Sequence, residues 1–398
     1  MINGKTVVLG VSGSIAAYKA PSLASQLVKE GADVHVILTK NGAKFVTPIT
    51  FETITGNKCL IDTFDRNFKF DVEHISIAKK ADVFIIAPAS ANIIAKAANG
   101  IADDMLSTTL LASTCVKIIA PAMNVNMYRN PITQYNLKKL KDFGFTVIPP
   151  VKGLLACKAI GEGKLPDTDI LYSYIEKAAH INNDLSGKKV LVTAGATIQN
   201  IDPVRFITNH STGKMGFALA KACMLRGADV TVIKANTSAN IPMFVNVIET
   251  ESAEDMFNAV KNNYLNNDII FMAAAVSDYT PEKFSNEKIK KSDSNMSISL
   301  KRTDDILKYL GENKKDNQFI CGFSMETENL IENSKEKLIK KNVDMIVANS
   351  LSEDGAGFSS DTNKVSIITK NEIIQSEKMS KFDVADKIIN EVLKCQML

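Results

Sequence analysis

Near the N-terminus, apolar and polar residues follow the pattern of a strand, a helix and a second strand. Residues 6–11 form a short run rich in β-branched residues, and the small-residue turn Ser12-Gly13-Ser14 comes next. Apolar positions then recur at helical spacing over residues 16–30, and a second apolar run follows at 33–38. This order predicts a βαβ unit with a parallel sheet.

Two later apolar runs, residues 83–87 and 116–120, predict further buried strands. Each run is followed by a proline, and we expect Pro88 and Pro121 to mark strand-end loops. In open α/β sheets, ligands bind beyond the carboxyl ends of the strands. The loops after residue 11 and after these two runs should therefore line one crevice.

The same pattern begins again in the second half of the chain. Residues 190–193 predict a strand and 217–226 a helix, and Gly227-Ala228-Asp229-Val230 repeats the earlier Gly31-Ala32-Asp33-Val34. A polar stretch at 180–186 predicts the boundary between the two halves. We predict an α/β protein with two Rossmann-like three-layer domains and mainly parallel sheets, at residues 1–185 and 186–398. The first is expected to be flavodoxin-like.

Composition supports a globular protein of two domains. The 398 residues are 45% hydrophobic and 23% charged, which excludes a disordered or fibrous protein. With 47 basic and 44 acidic residues, the net charge of +3 predicts no nucleic-acid or membrane partner. The six cysteines form no C-x-x-C pair, and the N-terminus has no apolar signal segment. We therefore expect a cytoplasmic location.

The turn at residues 10–16 is the first candidate ligand site. Neither half carries G-x-G-x-x-G, so a mononucleotide is favoured over a dinucleotide. Backbone N–H groups and the hydroxyls of Ser12 and Ser14 could surround a phosphate at the helix N-terminus. An ordinary tight turn has the same composition, so the turn alone leaves both interpretations open.

More specific motifs follow. Residues 88–92 read Pro-Ala-Ser-Ala-Asn and residues 121–128 read Pro-Ala-Met-Asn-Val-Asn-Met-Tyr, with His74 and Cys157 elsewhere. This set resembles the flavin-dependent cysteine decarboxylases. Residues 201–216 read I-D-P-V-R-F-I-T-N-H-S-T-G-K-M-G, which resembles the phosphopantothenate–cysteine ligases. Over the whole chain the resemblance is to the bifunctional phosphopantothenoylcysteine decarboxylase and phosphopantothenate–cysteine ligase family of coenzyme A biosynthesis.

For the N-terminal half, the resemblance implies an FMN cofactor. It assigns FMN binding to Gly13, Ser14, Thr39, Ser90, Asn92 and Met123. His74 is implied as the catalytic histidine, Asn124 as the ligand of the substrate carboxylate, and Cys157 as the donor of a proton in the final reduction. A flavin suits this chemistry because oxidation of the thiol gives the departing carboxylate an electron sink.

The segment around Cys157 departs from the family pattern A-C-G-x-x-G-x-G-R. Lys158 replaces a glycine, Lys164 replaces the arginine, and Leu165-Pro166-Asp167 stands where an acid and a proline are expected. These changes leave open a different closure of the flap that carries the cysteine.

For the C-terminal half, the resemblance implies CTP as co-substrate and Mg²⁺ as cofactor. Asn209 would steady the acyl-cytidylate, Arg205 would bind substrate, Lys288 would be catalytic, and Asp278 would bind Mg²⁺. The positions assigned to CTP are Asp278, Lys288, Asp304, Asp305, Ile306, Leu307, Phe323, Lys337 and Lys341. Lys337 and Lys341 are four residues apart, which puts them on one face of the helix predicted at 329–341. Ordinary surface charge explains the lysine spacing equally well.

The expected function is the ligation of 4'-phosphopantothenate to cysteine with CTP, followed by FMN-dependent decarboxylation to 4'-phosphopantetheine. The resemblance also implies a homo-oligomer with trimeric decarboxylase and dimeric ligase contacts, up to a dodecamer. The main alternative is an active ligase with a catalytically silent FMN-binding domain. A regulatory flavoprotein and a decarboxylase of peptide C-terminal cysteines are weaker alternatives, because neither requires the ligase motifs.

Overall fold

The computed structural model of the protein describes residues 2–64, 73–154, 160–180, 182–290, 296–326, 328–350 and 360–397. Within these ranges the chain divides into two units, residues 1–181 and 182–398, each with its own hydrophobic core. Helices alternate with mainly parallel strands in both units, which confirms the predicted fold class.

The first unit begins with the predicted βαβ arrangement. Its strands are β1 (Thr6–Val11), β2 (Asp33–Leu38), β3 (Val83–Ala89), β4 (Val116–Pro121), β5 (Thr146–Val147), β6 (Val151–Leu154) and β7 (Ile160–Lys164). Its α-helices are α1 (Ala20–Lys29), α2 (Pro48–Thr55), α3 (Glu73–Lys80), α4 (Ala91–Asn99), α5 (Met105–Ala112), α6 (Val125–Arg129), α7 (Pro131–Asp142) and α8 (Thr168–Ala179).

Among the described residues of this unit, five strands form a parallel sheet in the order β2-β1-β3-β4-β5, and β6 and β7 pair antiparallel beside it. Every residue of β3 is buried, because helices cover both faces of the sheet. The strand order reverses at β1, which pairs with both β2 and β3. A crevice for a ligand is expected at such a reversal, beyond the carboxyl ends of the strands.

The first helix differs from its prediction because of a proline. Helical spacing predicts one helix from residue 16, but Ile15–Lys19 is a 3₁₀ helix and α1 begins only at Ala20. Pro21 has no N–H to bond to the carbonyl of Ala17, so the N–H of Ala20 takes that acceptor with the tighter spacing.

The two prolines predicted in strand-end loops belong to the last residues of the strands themselves. Pro88 belongs to β3 and Pro121 is the last residue of β4. The pairing register of these strands shifts between Ile86 and Ala89. Such an irregularity accommodates a residue that cannot donate a ladder hydrogen bond, so the prediction of loops here was wrong.

The second unit has a larger sheet. Its strands are β8 (Lys189–Ala194), β9 (Ile198–Asn200), β10 (Phe206–Thr208), β11 (Asp229–Lys234), β12 (Asn246–Glu249), β13 (Ile269–Met272), β14 (Tyr279–Pro281), β15 (Leu300–Arg302), β16 (Phe319–Glu326), β17 (Met345–Ser350), β18 (Thr362–Asn363), β19 (Val365–Thr369), β20 (Ile373–Gln375) and β21 (Met379–Ser380). Its α-helices are α9 (Lys214–Leu225), α10 (Ala253–Asn263), α11 (Ile306–Asn313), α12 (Leu330–Lys340) and α13 (Lys381–Met397).

Within the described part of this unit, eight strands are ordered β12-β11-β8-β13-β16-β17-β19-β20. The first six are parallel, and β19 and β20 add two antiparallel strands at one edge. The parallel part has the doubly wound order whose direction reverses between β8 and β13. A second ligand crevice is therefore expected after these two strands.

A buried arginine ties the start of this unit to its C-terminal helix. The guanidinium of Arg226, 4% exposed, donates to Asp184 at 2.5 and 2.9 Å and to Asp386 at 2.9 Å. It also donates to Asn390 Oδ1 at 2.7 Å. Both carboxylates are partly exposed, so one buried cation is balanced by two anions that keep some contact with water.

In the ranges that the structure describes, there is no helix with the length and apolar content needed to cross a lipid bilayer.

Candidate active sites

Ser12 joins the carboxyl ends of β1 and β3. Its Oγ donates to the carbonyl of Pro88 at 2.8 Å and accepts from the N–H of Ser90 at 2.8 Å. The N–H of Ala122, just after β4, donates to the carbonyl of Ala89 at 3.0 Å. The structure thus brings together the segments after β1, β3 and β4 at one edge of the sheet.

The turn after β1 lies directly against the turn after β2. The N–H of Thr39 donates to the carbonyl of Val11 at 3.0 Å, and Thr39 Oγ1 accepts from the N–H of Gly42. A Cβ on Gly13 would lie 2.6 Å from Cβ of Asn41, so this position accepts no side chain. Gly13 and Thr39, both predicted to bind FMN, therefore come from adjacent turns.

Two helical segments begin at this edge. Ser14 caps the 3₁₀ helix, with its Oγ accepting from the N–H of Ala16 at 3.4 Å, and Ser90 is the N-cap residue of α4. Asn92 is exposed in the first turn of α4. Free N–H groups at the start of a helix attract phosphate. The site therefore offers a polar rim at the reversal of the strand order.

The loop after β4 carries Met123 and Asn124 and supports the β6–β7 hairpin. Met123 N–H donates to the carbonyl of Gly163 at 3.1 Å. A Cβ on Gly163, whose φ is +143°, would collide with the carbonyl oxygen of Met123, and a Cβ on Gly161 would lie 2.8 Å from Val125 Cγ2. The two glycines of β7 thus allow the hairpin to lie on the Met123 loop.

The tip of this hairpin, residues 155–159, lies outside the described residues, and with it Cys157 and Lys158. Beyond the hairpin, Leu165 is buried and its carbonyl accepts from Lys19 Nζ at 3.2 Å. The same ammonium bonds Asp167 at 2.7 Å. Lys19 therefore fixes the segment in which Pro166 departs from the family pattern, while Lys164 is exposed.

His74 is half-buried in the first turn of α3, which packs against α5. Residues 65–72, just before it, lie outside the described residues. Within the described ranges, no hydrogen bond joins His74 to the segments around Ser12.

Asn124 starts α6, and its Oδ1 accepts from the N–H of Asn126 at 2.8 Å. This bond orients the side-chain amide. Its Nδ2 group is then the part of Asn124 suited to bind a carboxylate, since it is a hydrogen-bond donor.

In the second unit, a cleft of about 560 Å³ lies where the strand order reverses. Small residues after β13, from Ala273 to Ala275, line its floor. The cleft collects most of the positions predicted for this half: Asn209, Asp278, Asp304, Asp305, Ile306, Leu307, Phe323, Lys337 and Lys341. Asn209 is held there by a 3.3 Å hydrogen bond from its Nδ2 to the carbonyl of Ala275.

The predicted pair of lysines reaches the cleft from α12 and the residue after it. Lys337 Nζ donates to the carbonyl of Phe323 at 3.1 Å, and Lys341 forms an ion pair with Asp305. Partial burial raises the pKa of Asp305, but hydrogen bonds from Lys341 and from the N–H of Lys308 bring it below its usual range. Asp305 is thus ionised at neutral pH and fixes Lys341.

Two predicted residues are not among those that line the cleft. Arg205 bonds Asp202 at 2.6 and 3.0 Å and donates to the carbonyl of Ile289 at 2.9 Å. The hydrogen bond from Arg205 holds the pKa of Asp202 well below its usual range. Lys288, beside Ile289, is exposed. Arg205 therefore anchors the segment that carries Lys288, in addition to any role with substrate.

Sequence reasoning missed several polar residues that line the same cleft, among them Lys214, Asn349, Asn363 and Lys381. Lys214 lies inside the Gly213-Lys214-Met215-Gly216 motif, which was a usable signal. Lys381 follows a strand of only two residues, and no sequence pattern there could have predicted its place in the cleft.

The described cysteines are free thiols with no sign of catalytic activation. Burial raises the pKa of Cys59 to about 12, and it also raises the pKa of Cys223 and Cys321. A thiol of this kind is a poor nucleophile and a structural residue.

Two family models match the chain. The model described as flavoprotein matches residues 1–180, and the model described as DNA/pantothenate metabolism flavoprotein C-terminal domain matches residues 185–396. A coenzyme A biosynthesis bifunctional protein of Bacillus subtilis is 46% identical over 396 residues, which are 98% of this chain and 97% of that protein. The chain belongs to this bifunctional family. The resemblance predicted from the motifs is confirmed.

Other members of the bifunctional family are also similar over their whole length. The Borreliella burgdorferi protein is 43% identical over 98% of this chain and 99% of its own. Among solved structures, the C-terminal domain of a bifunctional protein has a TM-score of 0.46 and 40% identity over 54% of this chain and 97% of that chain. A PPC decarboxylase mutant complexed with pantothenoylaminoethenethiol has a TM-score of 0.40 and 32% identity, covering 44% of this chain and 97% of that chain.

The hairpin of this bifunctional family member should depend on the glycine at position 163. We expect Gly163→Ala to break the hydrogen bond from Met123 N–H, because the new methyl group meets the Met123 carbonyl. Amide hydrogen exchange should then be faster in the peptide that contains Met123.

Gly144→Ala is the matched control. Gly144 also has a positive φ, +85°, but a Cβ there meets nothing within 4 Å. It should leave exchange at Met123 unchanged. Equal exchange in wild type and Gly163→Ala would show that the hairpin does not rest on this contact.

Proposed function

We propose that the chain catalyses two consecutive steps of coenzyme A biosynthesis. Residues 186–398 ligate 4'-phosphopantothenate with cysteine at the expense of CTP, and residues 1–185 decarboxylate the product to 4'-phosphopantetheine. The observation that carries the proposal is the cleft of the second unit, which gathers Asn209, Asp278 and Lys337 at the reversal of the strand order.

The ligase step requires an activated carboxyl group. The carboxylate of phosphopantothenate attacks the α-phosphorus of CTP and pyrophosphate leaves; the amine of cysteine then attacks the acyl carbon and CMP leaves. Lys337 and Lys341, which line the cleft, supply positive charge to the nucleotide phosphates. Asn209 sits at the end of β13, where its amide can hold the acyl group.

The residues present fit Mg²⁺ bound in the manner usual for nucleotide sites. Among the described residues, no group of three or more His, Cys, Asp and Glu side chains could hold a metal by itself. Asp278 and Asp304 are exposed carboxylates at the cleft. Mg²⁺ needs only one or two carboxylates when substrate phosphates and water complete its coordination. Asp278 is the proposed ligand.

The residues at the β1/β3 reversal fit FMN. Gly13 and Ser14 lie at the start of one helix, Ser90 and Asn92 at the start of another, and Thr39 and Met123 come from the flanking turns. The match of residues 1–180 to the flavoprotein model supports this assignment. A sheet with this strand order binds FMN at this reversal in other proteins.

In the decarboxylase step, FMN held by these residues would supply the two-electron oxidation of the cysteinyl thiol and the later return of those electrons. Asn124 holds the departing carboxylate through Nδ2, His74 exchanges a proton with the substrate, and Cys157 donates a proton to the final product. Asn124 is already oriented by its bond to Asn126, whereas Cys157 is assigned by resemblance alone.

Mass spectrometry of the reaction mixture tests both halves together. Wild type incubated with phosphopantothenate, cysteine, CTP and Mg²⁺ should yield 4'-phosphopantetheine. Cys157→Ser should stall at an oxidised, decarboxylated enethiol, because the proton donor for the last reduction is gone. Cys59→Ser, a buried cysteine outside the site, is the control and should form the full product.

A different product would contradict one half of the proposal. If wild type and Cys157→Ser both stop at phosphopantothenoylcysteine, the chain is a ligase with a silent flavin-binding domain. If neither consumes CTP, the ligase assignment fails.

Lys288 gives a test of the ligase half alone. We expect Lys288→Gln to reduce CTP-dependent pyrophosphate release by about 100-fold or more, the loss typical when a donor to developing charge is removed. The flavin absorbance should stay unchanged, because the substitution lies in the other unit.

Lys290→Gln is the matched control, since Lys290 is also exposed and lies two residues away. It should release pyrophosphate at the wild-type rate. Unchanged turnover in Lys288→Gln would exclude a catalytic role for this lysine.

We also propose that the chain forms a homo-oligomer through both units. Large apolar side chains are exposed on each, which would be covered by partner copies: Ile15, Ile49 and Tyr135 in the first and Val204, Phe206 and Leu300 in the second. Light scattering should give a multiple of the 43.4 kDa chain mass, up to a dodecamer. A stable monomer at micromolar concentration would exclude this assembly.

A further inference from the structure

Thr197 lies in the turn after β8 and is fully buried, and it is not among the residues that line the ligase cleft. Its N–H donates to the carbonyl of Ala275 at 3.2 Å, and its carbonyl accepts from Thr208 Oγ1 at 2.9 Å. Its hydroxyl accepts from the N–H of Ser277 at 2.9 Å and donates to Ser277 Oγ at 3.3 Å. Thr197 is therefore bonded to two other segments of the unit.

One of these segments leads into Asn209. Thr208 is the last residue of β10 and comes directly before Asn209. Asn209 Nδ2 donates to the carbonyl of Ala275, and the same oxygen accepts from the N–H of Thr197. Thr197 therefore holds the backbone before Asn209 and also the acceptor that orients its amide.

The other segment leads into Asp278. The N–H of Ser277 donates to Thr197 Oγ1, and the carbonyl of Ser277 accepts from Thr303 Oγ1 at 2.7 Å. The N–H of Thr303 in turn donates to the carbonyl of Asp278 at 3.0 Å. Two threonine hydroxyls thus bond the backbone of the residue before Asp278. The backbone that carries the exposed Asp278 carboxylate has little freedom as a result.

The surroundings of Thr197 make it suited to hold two loops in register. Groups that take part in a reaction must stay within a narrow range of positions, which requires supporting side chains that are themselves fixed by packing and hydrogen bonds. Thr197 has no contact with solvent, its β-branched side chain has few rotamers, and its hydroxyl is used as both donor and acceptor. It therefore ties the segment before Asn209 to the segment before Asp278.

We propose that Thr197 is a positioning residue of the ligase reaction, which fixes Asn209 and Asp278 relative to each other; this rests on the proposed ligase function. Thr197 acts through these two residues and not by contact with substrate. The amide that holds the acyl group and the carboxylate that binds Mg²⁺ must engage the same pair of substrates at one time. Loss of the hydroxyl should therefore disturb both.

Steady-state pyrophosphate release by the full-length chain, with CTP, phosphopantothenate and cysteine at varied Mg²⁺, tests the role. Thr197→Val should lower kcat by about tenfold or more, because small displacements of the groups that hold reacting atoms slow a reaction strongly. It should also raise the Mg²⁺ concentration that gives the half-maximal rate. Thr197→Ser keeps the hydroxyl and should recover most of both values.

Two further variants separate the two sides of Thr197. Thr208→Val removes a bond on the Asn209 side alone, so the rate should fall while the Mg²⁺ requirement stays at the wild-type value. Thr303→Val removes the other hydroxyl that bonds Ser277, at a half-buried position. It should raise the Mg²⁺ requirement, and it provides this test even if Thr197→Val does not fold.

Thr369→Val is the matched control. Thr369 is a buried threonine of the same unit, and its hydroxyl accepts from the N–H groups of Asn371 and Glu372 at the end of β19. It is not among the residues that line the cleft. This variant should lose thermal stability as Thr197→Val does, but kcat and the Mg²⁺ requirement should stay unchanged.

Wild-type kinetics in a folded Thr197→Val would overturn the positioning role and leave the ligase function standing. A Thr197→Ser variant as slow as Thr197→Val would also overturn it, because the hydroxyl would then not be the group that matters. The same holds for a slower Thr197→Val with an unchanged Mg²⁺ requirement. A wild-type chain that releases no pyrophosphate from CTP would overturn the proposed ligase function together with the positioning role.

Discussion

Both units depend on one constraint of parallel sheets, that the carboxyl ends of neighbouring strands meet at the same edge. Where the strand order reverses, the connecting helices leave on opposite faces and a crevice opens between them. In the first unit this happens between β1 and β3, and in the second between β8 and β13. The residues assigned to FMN and most of those assigned to CTP lie next to these reversals, although the chain positions that supply them are far apart.

The sequence predicted the bounds of the strands better than the first residues of the helices. Strands β1 and β2 have the predicted bounds, because a β-branched run ended by a glycine turn has few other structures open to it. Helix α9 begins at Lys214, before the predicted residue 217, since a lysine after a glycine is not a usual helix start. Pro88 was predicted in a loop but lies in β3. A strand accommodates this proline where its pairing register with the neighbouring strand shifts, and the sequence of one strand does not reveal such a shift.

The site residues also divide into those that the sequence could predict and those that it could not. Asn209 and Asp278 belong to motifs with a recognisable order, so resemblance found them, and the structure puts both in the cleft. Arg205 belongs to the same motif, but its bonds to Asp202 and to the carbonyl of Ile289 appear only in the folded chain. Lys381, which lines the same cleft, could not be predicted, because the short β18 and β21 beside it have no periodicity.

Helix α13 has a consequence for the order in which the two units form during translation. It packs on α9 and supplies Val384, Ile388 and Val392 to the core of the second unit. A ribosome-bound chain can complete the first unit once residue 181 has emerged, because its core needs nothing later. The second unit, by contrast, stays without part of its core and without Lys381 until its final helix is synthesised. A nascent chain therefore holds a finished flavoprotein unit while the cleft of its second unit is still incomplete.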